Sequence, residues 1–236
     1  VIRIAAVGDV HMGEDARGTL RPALDNLAEH AALLLLAGDL TRHGELDEAR
    51  VVADEFGGLP VPVVAVLGNH DYHSDQADDI TKLLEDSGIR VLEGEAVTVP
   101  VDGRTVGVAG VKGFGGGFAG KCASNFGERE MKSFVEHTIE RADRLRDALA
   151  SLDTDVRVAL THYAPVSDTL RGEPTEIYPF LGCYQLGEAI DDSGADLAIH
   201  GHAHFGCEQG LTPGGTRVRN VAMPVIRSAF ATYGLA

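Results

Sequence analysis

Three short apolar runs in the first part of the chain end in the same way. Residues 2–7 lead into Gly8-Asp9, residues 31–37 into Gly38-Asp39, and residues 61–67 into Gly68-Asn69-His70-Asp71. Runs of this length, closed by glycine and a short polar residue, read as buried β-strands. Helix-length stretches at 17–29 and 45–56 separate them. The resulting β-α-β-α-β order commits the chain to a parallel, layered α/β sheet.

A further helix is expected over 75–86, after which the texture changes to short strands at 90–92, 96–101 and 104–111, with Asp102-Gly103 as a hairpin turn. Met131, Phe134, Val135, Thr138, Ala142, Leu145, Leu149 and Leu152 then recur at three-and-four spacing, the pattern of one long amphipathic helix. Strands resume at 156–160, 197–199, 206–211 and 216–221. These are more strands than one comfortable open sheet holds, so two sheets packed face to face with helices outside are expected. No repeat of fixed period and no Pro- or Ser-rich linker divides the sequence, and residues 1–236 are expected to form a single domain.

Polar residues gather where the predicted strands end, the place where open α/β sheets bind ligands. Asp9-Val10-His11, Gly38-Asp39, Gly68-Asn69-His70-Asp71, Thr161-His162 and Gly201-His202-Ala203-His204 all fall there. Carboxylate, amide and imidazole donors without thiolate suit Mn, Fe, Zn or Co. Any one of these motifs alone is more often a turn, a helix cap or a satisfied buried histidine. Their joint occurrence at successive strand ends points to a metal centre.

The order D-x-H, G-D, G-N-H-D, H, G-H-x-H, running from Asp9 to His204, resembles the calcineurin-like metallophosphoesterase family. The resemblance implies a four-layer α-β-β-α sandwich, with two mixed sheets face to face, and a dinuclear site. Asp9, His11, Asp39 and His204 match the ligands of its first metal, and Asp39, Asn69, His162 and His202 those of its second, with Asp39 as the bridge. The ions implied are Mn and/or Fe, with Zn or Co as alternatives. Two ions about 3.5–4 Å apart clamp the attacking and departing oxygens of a phosphoryl displacement and activate a water, so no Ser or Cys nucleophile is needed. His70 is expected to protonate the leaving group and Asp71 to orient its imidazole; a purely supporting role for His70 is the alternative. His43, His73 and His200 have weaker claims, His200 reading as a buried, hydrogen-bonded strand residue.

Protein Ser/Thr phosphatases of that family carry Arg before G-N-H and Glu after it, where this chain has Leu67 and Asp71. The resemblance is therefore to the small bacterial phosphodiesterases and phosphatases. A small phosphoester is the expected substrate, a diester or small organic phosphate ahead of other monoesters. Two loops are candidates for specificity: 112–127, with Phe114, Phe118 and Phe126, and 164–183, with Arg171, Tyr178 and Phe180. Plain surface loops are the alternative.

Composition limits the partners. The formal charge of −16, from 20 basic and 36 acidic residues, disfavours long nucleic acid. Cys122, Cys183 and Cys207 show no C-x-x-C spacing, which argues against a disulfide framework and fits a reduced cytoplasmic setting. The run 2–7 is too short for a secretory signal core and 31–37 too short to span a bilayer, so no membrane partner is expected. The oligomeric state is left open. Two rival functions stand beside the enzyme. Gly115-x4-Gly120-Lys121-Cys122 nearly matches a phosphate-binding P-loop, although Cys122 lacks the hydroxyl such a loop places on Mg. An inactive interaction module is the other rival, and the intact set of candidate ligands argues against it.

Overall fold

Thirteen strands and eight α-helices make up the computed structural model, which describes residues 1–236. The strands are β1 (Ile2–Val7), β2 (Leu33–Ala37), β3 (Val63–Val66), β4 (Ile89–Val91), β5 (Glu95–Val101), β6 (Arg104–Val111), β7 (Gly117–Phe118), β8 (Lys121–Cys122), β9 (Val156–Thr161), β10 (Leu197–His200), β11 (Gln209–Leu211), β12 (Arg217–Asn220) and β13 (Ala231–Leu235). The α-helices are α1 (Arg21–Leu24), α2 (Leu27–His30), α3 (Leu46–Phe56), α4 (Ala77–Asp86), α5 (Arg129–Ala150), α6 (Tyr178–Leu181), α7 (Tyr184–Ser193) and α8 (Met223–Ile226).

The strands form two mixed sheets. The first has the order β13-β1-β2-β3-β4, parallel except for β13, and the second the order β11-β12-β10-β9-β6-β5, parallel in its centre with antiparallel strands at both edges. Side chains alternate along each strand, and the alternation builds the layers. Ile4, Ala6, Leu33, Leu35 and Val64 face Val106, Val158, Leu160 and Ile199 of the opposite sheet. Ala5, Val7, Leu34, Leu36 and Ala65 turn the other way, onto Val51, Val52 and Phe56 of α3 and Ile80 and Leu84 of α4. On the far side, Ala109, Ala159 and Ala198 meet Ala142, Leu145 and Leu149 of α5 and Leu186 and Ile190 of α7. Both faces of β1, β2 and β3 are covered, which is why their sequences are apolar except for the exposed Arg3 near the start of β1. The layers are those the sequence led us to expect.

Three local differences have physical causes. The helix expected over 17–29 is two short helices, α1 and α2, and starts only at Arg21 because the Glu55 carboxylate, 1% exposed, accepts the backbone N–H groups of Gly18, Leu20 (2.9 Å) and Arg21 (2.6 Å). Those donors are thereby satisfied outside a helix. Strand β13 was not anticipated: its pattern is weak, with Gly234 inside it, yet it adds antiparallel to the edge strand β1. Helix α7 was also missed, since Gly187 in its middle weakens the helical pattern. That glycine sits where an added Cβ would lie 2.6 Å from the Pro165 carbonyl oxygen.

The P-loop reading is overturned. Lys121-Cys122 forms β8, hairpin-paired with β7, and α5 begins only at Arg129, so no helix N-terminus follows the Gly-Lys pair. No helix is long and apolar enough to cross a membrane. Replacing Glu55 by Ala leaves half-buried backbone donors without their charged acceptor and is expected to destabilise the chain by about 1–3 kcal/mol. A urea titration of Glu55→Ala against the parent protein measures this, and an unchanged midpoint would refute it.

Candidate metal centre

The carboxyl ends of β1, β2 and β3 in one sheet and of β9 and β10 in the other deliver every candidate ligand to one rim of the sandwich. The backbone there is tightly turned. Asp9 (φ 56°), His11 (φ 43°), Asp39 (φ 50°) and His202 (φ 71°) all adopt left-handed conformations. For non-glycine residues this costs on the order of 1 kcal/mol each, and such strain clusters at functional sites. Backbone bonds hold the turns in place: Asp9 N–H donates to Gly38 O (2.9 Å), His11 N–H to Asp39 O (3.1 Å) and Met12 N–H to Leu40 O (2.8 Å). Space is just as restricted. A Cβ on Gly68 would lie 2.1 Å from Asp39 Oδ1, and one on Gly201 2.3 Å from Asp9 Oδ2.

The donor atoms fall into groups able to hold metal ions. Asp9, His11 and His204 form one, and Asp39, His162 and His202 another, each with its atoms within 4.8 Å of one another. In the first, His204 Nε2 lies 2.9 Å from Asp9 Oδ1 and 3.4 Å from His11 Nε2. In the second, His162 Nε2 lies 3.3 Å from Asp39 Oδ1 and 3.0 Å from Asn69 Oδ1. Asp39 stands between the groups, its other oxygen, Oδ2, being 3.9 Å from His11 Nε2. Donors bound at about 2.0–2.2 Å around one ion stand roughly 3–3.5 Å apart, so the spacing fits shared ions.

The imidazoles are oriented by backbone carbonyls, as metal-ligating histidines generally are. His162 Nδ1–H donates to Ala37 O (2.8 Å), which turns Nε2 to the site. His202 is reversed: Nε2–H donates to Phe180 O (3.2 Å) and Nδ1 is left for a cation. His70 Nδ1–H donates to Arg42 O (2.7 Å), and its Nε2 lies 4.0 Å from Asp39 Oδ2.

Electrostatics within the site are dominated by one ion pair. Burial pulls the His162 imidazolium down, but the charge and hydrogen bond of Asp39 overrule it and raise its pKa to about 9. Burial likewise pushes Asp39 up, and the charge and hydrogen bond of His162 bring it well below the usual carboxylate range. Burial, then the neighbouring His162 charge, drive His202 down to about 3, so that ring is neutral. The protein thus balances a buried carboxylate with a proton that a bound cation would displace.

The role expected for Asp71 is corrected. Its carboxylate does not reach the His70 ring, which is held instead by the Arg42 carbonyl. Fully buried, Asp71 accepts from Leu40 N (3.2 Å), Thr41 N (2.7 Å), Thr41 Oγ1 (2.6 Å) and Gly68 N (2.7 Å), joining the turn after β2 to the turn after β3. Burial and then the Asp39 charge push its pKa upward. Four donors and no acceptor around it nevertheless match the ionised form.

Other expected residues separate clearly. His200 is buried with Nε2 against Thr169 Oγ1 (2.8 Å) and Nδ1 against Gly201 O (2.7 Å), a structural histidine as anticipated. Phe118 is buried in a small apolar cluster, and Phe126 is 83% exposed. Two neighbours of the site carried only weak signals. Tyr163, the residue after His162, has its ring centroid 4.4 Å from that of His202. Lys112, the residue after β6, is buried with Nζ 5.1, 5.1 and 5.2 Å from the Tyr72, Phe114 and Tyr163 ring centroids. Burial lowers its pKa, opposed by the Glu93 charge.

The rim of an α/β sandwich, carrying buried Asp–His groups able to bind metal, defines the general class of this protein. The chain belongs to the calcineurin-like phosphoesterase family, whose model matches residues 2–206. No curated protein matches it in sequence. Among solved structures it is similar to the phosphopantetheinyl hydrolase of Mycobacterium tuberculosis (TM-score 0.70, 14% identity, covering 99% of this chain and 98% of that one). A novel phosphatase from Mycoplasma pneumoniae is similar at TM-score 0.54 and 14% identity, over 94% of this chain and 71% of that one. So is GAP50, described as the anchor in the inner membrane complex of Plasmodium, at TM-score 0.55 and 12% identity, over 94% and 72%. At these identities the likeness is one of fold.

The corrected place of Asp71 has a measurable consequence. Asp71→Ala is expected to weaken Mn binding by about 10- to 100-fold, the effect typical of losing a group that orients metal ligands. Calorimetric titration with Mn tests this. Unchanged Mn affinity with a reduced turnover rate would return Asp71 to the His70 role.

Proposed function

We propose that the chain is a dinuclear metal-dependent hydrolase of a small phosphodiester or small organic phosphate, built as one domain over 1–236. The observation that carries this reading is the division of the Asp39 carboxylate between the two donor groups, Oδ1 toward His162 and Oδ2 toward His11. Asp9, His11, Asp39 and His204 would hold one ion and Asp39, Asn69, His162 and His202 the other. The donors are oxygen and nitrogen only, which favours Mn or Fe, with Zn and Co as competitors. When bound, such a pair activates water near neutral pH and offsets the negative charge on the phosphoryl oxygens.

The remaining work falls to the protein. His70, its ring 43% exposed and anchored by Arg42 O, presents Nε2 beside Asp39 and donates a proton to the departing oxygen. The seven ligands carry a formal charge of −2, from Asp9 and Asp39, so two divalent ions make the rim locally positive in a chain of −16. That local reversal admits a small anion and leaves a long polyanion facing an acidic surface. Leu67, where protein phosphatases have arginine, is 3% exposed and offers the substrate no cation. The free cysteines suit a reducing cytoplasmic setting.

Elemental analysis of the purified protein, with chelator-sensitive hydrolysis of chromogenic diesters and monoesters under added Mn, tests the reading; a phosphopantetheinyl ester belongs in the same panel. About two metals per chain are expected, with faster turnover of the diester; a faster monoester would reverse the preference alone. Metal-free protein retaining full activity would overturn the proposal. Asp39→Asn should lose metal and nearly all activity. His70→Ala should keep its metals and lose roughly 10²- to 10⁴-fold in rate, most on poor leaving groups. Equal losses on good and poor leaving groups would remove the proton-donor role.

A further inference from the structure

A wall of packed aromatic rings leads away from the metal centre, its inner member Tyr163 buried in the core and its outer members Phe114 and Phe134 half-buried. The Tyr163 ring lies against the candidate ligand His202 (4.4 Å between centroids), Phe114 against Tyr163 (5.8 Å), and Phe134 against Phe114 (5.1 Å). The wall ends at a cavity of about 500 Å³ lined by Lys121, Met131, Phe134, Pro179 and Phe180 together with small residues of the 120–123 segment. Phe180 belongs to both places: its carbonyl accepts from His202 Nε2 at 3.2 Å and its side chain lines the cavity.

Isolated exposed apolar residues mean little. Here Phe180 is 61% exposed and Met131 43%, both on one cavity that adjoins the reacting centre. Its volume lies within the roughly 300–1,000 Å³ range of small-molecule sites. Charge narrows the occupant further. In a chain with 36 acidic residues no carboxylate lines this cavity, and its single charged residue is Lys121. A larger cavity of about 700 Å³ on the other side of Cys122 is lined by Asp168 and Glu188 as well as apolar groups. The cavity next to His202 therefore suits a neutral or anionic apolar group and gives a cationic one no partner.

We infer that the substrate carries an extended, uncharged or anionic apolar ester substituent that passes Phe180 into the cavity lined by Met131, Phe134 and Phe180 while its phosphoryl group sits at the metal centre. This rests on the phosphoesterase reading above and deepens it. Of the aromatic residues the sequence singled out, Phe180 lines this cavity and Phe118 is buried in another cluster, and Met131, Phe134 and Pro179 complete the lining.

The test is calorimetric binding of n-alkylphosphonates, from methyl to octyl, to the Mn-loaded protein. Each methylene that enters the cavity should tighten binding by about two- to fourfold until the cavity is filled. Met131→Glu, on the exposed first turn of α5, and Phe180→Ser, which keeps the carbonyl over His202, should each flatten that dependence. Leu211→Glu, in the other cavity, should preserve it. A chain-length dependence absent from the parent protein, or undiminished in both cavity variants, overturns the inference while methylphosphonate binding sustains the metal-centre reading. Tighter binding of a trimethylammonioalkyl phosphonate than of its neutral isostere also overturns it. Failure of methylphosphonate itself to bind the Mn-loaded protein removes both readings.

Discussion

Everything at the rim depends on what happens to backbone N–H groups when parallel strands leave the sheet. At the ends of β2 and β3 the ladder stops, yet the chain is still inside the protein, where an unpaired N–H is costly. The Asp71 carboxylate takes three of these donors and the Thr41 hydroxyl, so one side chain closes two turns. The same device recurs at Asp9, whose carboxylate receives the His202 N–H (2.9 Å to Oδ2) across the gap between the sheets. Glu55 does likewise in the helical layer. Buried carboxylates thus substitute for missing ladder bonds, and the sharp left-handed turns that aim the ligands are stable because of them.

That solution concentrates negative charge. Asp9, Asp39 and Asp71 crowd into a region where low polarity strengthens repulsion, and Asp71 is pushed toward protonation by burial and by Asp39. The His162 proton chiefly offsets the charge of Asp39, and the hydrogen bond to Asp9 raises the pKa of His204. The geometry that folding requires therefore also creates an appetite for cations. Structural demand and metal affinity arise from the same side chains, and His202, kept neutral by burial and by the His162 charge, is ready to ligate without losing a proton.

How far the sequence reveals this differs by element. The buried strands β1, β2 and β3 were legible because every residue but Arg3 is apolar and each run leads into a glycine beside a polar donor. The seven donors were legible because the spacing around the strand ends preserves their order. The Asp71 role was not. Its neighbour His70 made a dyad the natural expectation, but the turn closed by Tyr72 N to Asn69 O (3.3 Å) sends the two side chains apart. Glu55 holding the helix start back to Arg21, β13 completing the first sheet, and Lys112 buried under three rings are all contacts between distant parts of the chain. Local periodicity carries no trace of such contacts.

Chemistry and specificity are built on different foundations in this molecule. The ligands come from strand ends locked by two sheets. The wall and cavity come from α5, α6 and two loops that bond to each other through backbone: Gly116 N–H to Pro179 O (2.6 Å), Gly117 N–H to Gly182 O (2.8 Å) and Ala164 N–H to Leu181 O (3.0 Å). Bonds of this kind require glycine at 116, 117 and 182, where an added Cβ would clash, but they make no demand on the side chains at 131 and 180. The cap over His202 can therefore keep its shape while residues such as Met131 and Phe180 differ, because neither contributes a side-chain hydrogen bond to the frame. A fold of this design holds one reaction in place through the sheets and leaves the choice of substrate to side chains whose replacement the frame tolerates.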